Sequence, residues 1–139
     1  MIGHTPVSYT HLEEVRQIFA QDKFATENGA IIEEIGDHYA KCSLTIEPRH
    51  KNALGAVMGG VYFTLADFAF DVASNWQEPG TVSLSSNIAF LGAAKGQKLI
   101  AEAKCVKNGR ATCYYQIEVR DEGGRLTAAV TATGYRKAQ

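Results

Sequence analysis

Three cysteines in 139 residues, Cys42, Cys105 and Cys113, form no C-x-x-C pair, and their odd number leaves no complete disulfide frame. A zinc site and a disulfide scaffold are therefore excluded, and a reduced setting is expected. Charge of one sign is also missing. Fourteen Lys and Arg stand against fifteen Asp and Glu, a net charge of −1, and no basic run suits an electrostatic nucleic-acid binder. Residues Met1 to Phe19 carry no basic segment followed by an apolar signal core, so the expected location is cytoplasmic. Repeats, linkers and low-complexity stretches are absent. There is no G-x-S-x-G elbow for a serine hydrolase, and Gly55-x-x-x-Gly59-Gly60 is neither a dinucleotide nor a P-loop fingerprint. His4, His11 and His38 lack ligand spacing, so neither a metal nor a cofactor is expected.

What is present is one domain's worth of chain, residues 1–139, with a change of hydrophobic period near residue 30. Thr10 and Glu13 form a capping box ahead of Val15, Ile18 and Phe19, and a second short helix covers Phe24 and Ala25. Residues 1–29 are thus a helical segment expected to pack on the rest. Strands follow over Ala30–Ile35 and Tyr39–Glu47, with a turn at Gly36-Asp37 and a stop at Pro48. A long apolar helix then runs from Met58 to Ser74. Its length raises a membrane question, but Asp67, Asp71 and the Gly-Gly pair favour a buried helix. Thr81–Phe90, Lys98–Lys107, Arg110–Asp121 and Leu126–Arg136 alternate with period two. Asn108-Gly109 and Gly123-Gly124 supply turns. The expected fold is α+β: a hairpin, the long helix, then four strands in a meander, the antiparallel sheet of about six strands curving around the helix.

Gly59 and Asp67 are the most informative pair. A Gly-Gly start lets bare N–H groups of a helix N-terminus approach an electron-rich group. A carboxylate in the middle of a greasy helix is costly unless it is paired or used. Thr64, Asp67, Asp71, Ser74 and Asn75 fall on one polar arc of the helix, which reads equally as its solvent face. Asp71 reads as a surface or interface residue whose charge would raise the pKa of Asp67.

The segment His50-Lys51-Asn52-Ala53-Leu54-Gly55-Ala56-Val57-Met58-Gly59-Gly60, followed by Leu65-Ala66-Asp67 and Ala69, resembles the PaaI-type hot-dog thioesterase family. That family's pattern is close to N-x-x-G-x-x-H-G-G, four residues, then L-A-D-x-A. Ser83-Leu84-Ser85, Lys107-Asn108-Gly109-Arg110 and Asp121-Glu122-Gly123-Gly124-Arg125 extend the resemblance over about residues 30 to 136. It implies a hot-dog fold, hydrolysis of acyl-CoA thioesters with coenzyme A only as part of the substrate, and assembly as a homodimer or homotetramer. It further implies that the Gly59 N–H is the oxyanion donor, that Asp67 is general base or nucleophile, that Asn52 orients the carbonyl or the water, and that Ser83 helps place the water. The family's His before Gly-Gly is Met58 here, and a thioether donates no hydrogen bond. A non-catalytic acyl-CoA-binding module is the alternative reading. A hydratase would need a His-centred acid/base pair, for which His50 is the candidate; His50 otherwise reads as a surface residue.

Spacing adds one constraint. Gly59 and Asp67 are eight residues apart, about 12 Å along a helix, whereas a reacting carbon must lie roughly 3 Å from both groups. If both act on one substrate, they come from two subunits. Gly60, Met58, Ser85, Lys107 and Arg110 complete the expected substrate contacts. Ser85 shares a strand face with Ser83 by the period-two rule, and Lys107 and Arg110 are read against CoA phosphates. No nucleic acid and no membrane partner is expected.

Overall fold

The computed structural model describes residues 8–137, the side chains of residues 9 and 10 apart. Six antiparallel strands form one sheet around a central helix: β1 (Ile31–Gly36), β2 (Tyr39–Thr45), β3 (Thr81–Phe90), β4 (Lys98–Asn108), β5 (Thr112–Asp121) and β6 (Leu126–Arg136). Two helices, α1 (Tyr9–Phe19) and α2 (Lys23–Glu27), precede the sheet, and α3 (Gly59–Asn75) follows β2. The α1 helix is capped by Ser8, whose hydroxyl accepts from the His11 N–H at 3.3 Å. The Thr10 side chain, expected in that role, lies outside the described residues.

The strand order is β1-β2-β4-β5-β6-β3, so the expected four-strand meander is corrected. Strands β4, β5 and β6 do meander, but β3 pairs with β6 at the far edge. The reason is the length of α3. Its 17 residues span about 25 Å, enough to carry the chain from the β2 side to the opposite edge before β3 begins. Strand β2 is then left to pair with β4. The β4–β5 connection is also longer than the Asn-Gly signal implied: Gly109, Arg110 and Ala111 all lie between the strands.

Helix α3 packs into the concave face of the sheet. Leu65, Ala66, Phe68, Ala69, Phe70, Val72 and Ala73 are buried among Leu44, Leu99, Ala101, Tyr115, Ile117 and Val130, each large side chain contributing about 1.5–3 kcal/mol of burial. The Phe70 and Tyr115 rings meet edge to face at 5.2 Å. Polar stitches fix the ends of this helix. Trp76 Nε1 donates to the Gly36 carbonyl at 2.8 Å. Asn75 Oδ1 accepts from the Gly80 and Thr81 N–H groups at 2.9 and 2.8 Å, which sets where β3 starts. At the turn before β6, Asp121 accepts from the N–H groups of Lys95, Gly123 and Arg125. This explains an aspartate ahead of the Gly-Gly turn.

Candidate active site

The N-terminus of α3 is open. Met58, at the cap position, has extended backbone (φ −65°, ψ 139°) and no side chain caps the helix. The Val61 N–H is satisfied by the Met58 carbonyl at 2.9 Å. The Gly59 and Gly60 N–H groups are the first two of the helix, at the positive end of its dipole, where no intrahelical carbonyl precedes them. A Cβ on Gly59 would stand 3.1 Å from the Phe90 ring, so glycine is what lets Phe90, the last residue of β3, close over this helix start.

The loop ahead of the helix is organised by Asn52. Its Oδ1 accepts from the Leu54 and Ala56 N–H groups at 2.9 and 3.1 Å, a turn of the kind asparagine builds. The carbonyl end is therefore occupied, and Nδ2 is the end that could meet a substrate.

His50 departs from expectation. Only 2% of it is exposed. Its Nδ1 accepts from the Glu47 N–H at 2.9 Å, and its Nε2 lies 2.6 Å from the Asn28 carbonyl, to which it donates in the matching tautomer. Both ring nitrogens are used: Nδ1 closes the Pro48–His50 turn on Glu47, and Nε2 ties that turn to the end of α2. The surface reading of His50 is thus corrected, and the hydratase reading loses its acid/base group.

Asp67 lies halfway along α3 on its polar arc, with Thr64 and Asp71, and that arc is not a plain solvent face. Helix α2 runs beside it. Asp22, Lys23, Phe24 and Ala25 form one wall of a cavity of about 410 Å³; Phe63, Thr64, Asp67, Phe68 and Asp71 form the other. A smaller cavity of about 90 Å³ adjoins it, shares Phe24 and Thr64, and reaches Met58 and Gly60. The groove therefore runs from the open helix start to the carboxylate. Asp67 keeps accessible surface at the groove; its partial burial there, and then the charge of Asp22, push the carboxyl above its ordinary range. Asp71 is pushed up to about 7, first by burial, then by a hydrogen bond and charge from Asp22. Asp71 is half-buried and hydrogen-bonded by Asn75, which corrects the surface half of its surface-or-interface reading. The sequence pattern concealed Asp22 and Phe24, because α2 is short and carries no periodic signal of its own.

Strand β3 holds the next two candidates on different faces. Ser83 pairs with Gly134 but Ser85 pairs with Thr133, because a bulge falls between them. Gly134 faces the core, beside Cys113, Thr81 and Phe70, so Ser83 is on the helix side and Ser85 on the outer face. The shared face expected from strict alternation is corrected. Lys107 and Arg110 are exposed on the β4–β5 hairpin. Arg136, opposite Thr81 at the start of β3, reaches that hairpin through the Gly109 carbonyl and Asn108 Oδ1. Within one chain, both basic residues are therefore at the opposite end of β3 from Gly59 and Phe90. Among the aromatic residues of α3, β3 and β5, Tyr62, Phe68 and Phe70 are core residues, whereas Phe63, Phe90 and Tyr114 retain accessible surface.

Among the described residues, no group of three His, Cys, Asp or Glu side chains is arranged to hold a metal ion. No helix there is long and apolar enough to cross a membrane.

A long helix in a curved six-stranded antiparallel sheet, with an uncapped glycine start and a carboxylate in an adjoining groove, defines the hot-dog class. Comparison with known proteins agrees. The Thioesterase superfamily pattern matches residues 54–128. A protein of Archaeoglobus fulgidus described as a putative esterase is 36% identical over 120 residues, covering 86% of this chain and 78% of the relative. The acyl-coenzyme A thioesterase PaaI of Escherichia coli is 26% identical over 131 residues, 94% of each chain. The solved structure of the E. coli PaaI protein from the phenylacetic acid degradation operon matches with a TM-score of 0.86 at 25% identity, over 94% of this chain and 96% of that one. A hypothetical thioesterase of Streptococcus pneumoniae solved with coenzyme A matches with a TM-score of 0.81 at 26% identity, over 88% and 97% of the two chains. The chain belongs to the thioesterase superfamily, with the PaaI-type hot-dog fold, and is a thioester hydrolase.

Proposed function

We propose that this protein hydrolyses acyl-CoA thioesters to the free acid and CoA, with Gly59 and Asp67 of two different subunits acting on one substrate. The observation that carries the reading is the uncapped Gly59-Gly60 start of α3, with Asp67 on the same helix about 12 Å away. The coenzyme A held by the S. pneumoniae relative and the name of the E. coli one support the substrate class.

Strand β3 supports the two-subunit arrangement. It is an edge strand of ten residues, exposed along nearly all of its length, and Val82, Leu84 and Phe90 present apolar surface there. An edge of this kind invites pairing with another strand. Antiparallel pairing with β3 of a second copy carries the Phe90 end, beside Gly59, toward the Thr81–Ser83 end of the partner. Lys107 and Arg110 travel with that partner end, and a CoA phosphate crossing the interface meets them there. Ser85, on the outer face, takes no part in this arrangement.

The chemistry follows. Water attacks the thioester carbon as Asp67 takes its proton, or the carboxylate attacks directly and water releases the acyl group afterwards. The carbonyl oxygen becomes an oxyanion held by the Gly59 N–H, with the Asn52 amide orienting the carbonyl or the water and Ser83 helping to place the water. The C–S bond then breaks, and CoA leaves as a thiolate that is protonated by solvent. Met58 contributes surface but no hydrogen bond, and the backbone donor does not depend on its side chain. The test is free-thiol release from a panel of acyl-CoAs by wild type and Asp67→Ala side by side. Turnover lost in the variant is the expected result. Binding without turnover in either protein would instead favour the binding module, and full activity in the variant would sink the assigned role.

A further inference from the structure

The chain between β3 and β4, residues 91–97, passes beside the start of α3 and is held through its backbone N–H groups. Those of Leu91 and Gly92 donate to the Thr127 carbonyl at 2.9 and 3.2 Å. Those of Lys95 and Gln97 donate to the carboxylates of Asp121 and Glu122 at 2.9 and 2.5 Å. These four bonds end on β5, β6 or the turn between them. A fifth differs. The Ala94 N–H donates to the Tyr62 hydroxyl at 3.1 Å, and Tyr62 is the fourth residue of α3. Of these five bonds only this one reaches the helix. Tyr62 is 5% exposed, so the core fixes its ring. That ring meets Phe90 edge to face, with 6.4 Å between centroids. Phe90 is 58% exposed, so core packing alone does not fix it, yet its Cε1 and Cζ are the atoms nearest a Cβ at Gly59. No step of the hydrolysis uses the Tyr62 hydroxyl.

We propose that Tyr62 is a positioning residue for the hydrolysis: bonded to Ala94 and packed edge to face on Phe90, it holds the Phe90 ring as the apolar wall beside the Gly59 N–H. This rests on the reading of that N–H as the oxyanion donor. The effect is electrostatic. A hydrogen bond to developing negative charge is stronger where water is excluded, and a ring held in one place keeps water from one side of the donor. A ring free to swing admits water there. Full charge on the carbonyl oxygen appears only in the transition state, so the loss weakens that state more than the bound substrate. It therefore falls on kcat rather than on KM.

The test is kcat and KM with phenylacetyl-CoA and hexanoyl-CoA for wild type, Tyr62→Phe, Phe90→Ala, the double variant of these two, and Ser74→Ala. Tyr62→Phe keeps the ring and removes only the bond to Ala94. Ser74→Ala removes a hydroxyl from the far end of the same helix, where it donates to the Phe70 carbonyl at 2.8 Å; it is the control for a general loss of stability. Circular dichroism checks each fold. Tyr62→Phe should lower kcat about fivefold, the size of one hydrogen bond, with KM little changed. Phe90→Ala should lower kcat by more. Tyr62→Phe should add nothing in that background, because both act through one ring. Ser74→Ala should keep the wild-type kcat. Wild-type kcat in Tyr62→Phe, or losses that multiply in the double variant, would overturn the positioning role while hydrolysis stands. An equal loss of kcat in Ser74→Ala would assign the effect to stability and overturn the role as well. If wild type turns over neither thioester, the functional reading fails and the role fails with it.

Discussion

Phe90, the last residue of β3, lies with its ring against Gly59, the first residue of α3, so closely that a Cβ on the glycine would stand 3.1 Å from it. This contact joins the edge strand to the helix start and separates two roles of Gly59. Gly59→Ala keeps the N–H and crowds Phe90, whereas Gly59→Pro also removes the N–H. Proline is tolerated at the first helical position, and Met58 already has the extended backbone that a residue before proline adopts. Both variants are expected to fold by circular dichroism. The alanine variant should lose little kcat, and the proline variant about 10²–10³-fold, the cost of one oxyanion donor. Equal losses would assign the effect to Phe90 rather than to the N–H.

Asp67→Asn should lower kcat/KM by about 10²–10⁴-fold, the range for a positioned base. Burial and Asp22 raise the Asp67 carboxyl above its ordinary range, and the protonated form can neither take a proton nor attack. Activity in wild type should therefore fall as pH drops, on an acid limb lying above the ordinary carboxylate range. Asp22→Asn, which removes one of the two causes, should move that limb toward lower pH. Single-turnover hydrolysis in ¹⁸O-labelled water tests the nucleophilic route in one direction: label in the Asp67 carboxylate shows water attacking the aspartyl carbon of a mixed anhydride, since the general-base route labels the product acid alone.

Two inactive variants should rescue each other. In a mixture of Gly59→Pro and Asp67→Ala subunits, a heterodimer pairs one intact Gly59 with one intact Asp67 at one of its two sites. Random exchange makes about half the dimers heterodimers, so activity should recover to about a quarter of wild type. No recovery, with subunit exchange verified by native mass spectrometry, would mean that each site is built within one chain.

Asp71 carries a stability prediction of defined sign. Its carboxyl is raised to about 7 in the folded protein, against about 3.9 in an unfolded chain. The folded state then binds the extra proton between those values, and the stabilisation is complete below the lower value and lost as pH rises toward the upper one. Asp71→Asn keeps the shape without the charge. It should raise Tm by about 5 °C at pH 8 and by progressively less toward pH 4, as followed by thermal unfolding across that range.

His50→Ala should destabilise by about 3 kcal/mol, because it opens a cavity and leaves the Glu47 N–H and the Asn28 carbonyl without their partner. Turnover per folded molecule should fall much less than in the Asp67 variant. A collapse of kcat at full stability would return His50 to the chemistry.

The legibility of this chain follows physical range. Elements governed by local pattern were readable: β3 spans Thr81–Phe90 and β6 spans Leu126–Arg136, as alternation and the Gly-Gly turn implied. The α3 start was readable because a glycine pair and an apolar 3.6-residue period are local signals. The order of β3 in the sheet was not, since alternation says which face a residue takes and nothing about which strand it pairs with. Ser85 was misplaced because a bulge breaks period two without marking itself in composition. His50 looked like a surface histidine because both of its partners are backbone groups, which any residue type supplies.

By itself the sequence determined the element types, the uncapped glycine start and the carboxylate eight residues beyond it, since each depends on neighbours within a turn or two of chain. Only the tertiary structure decided that α2 returns along the polar arc of α3, that the Trp76 indole reaches the Gly36 carbonyl, and that β3 is left as an open edge. The cavity between α2 and α3 brings together residues up to 49 positions apart (Asp22 and Asp71), and long-range packing, rather than any local preference, selects such an arrangement.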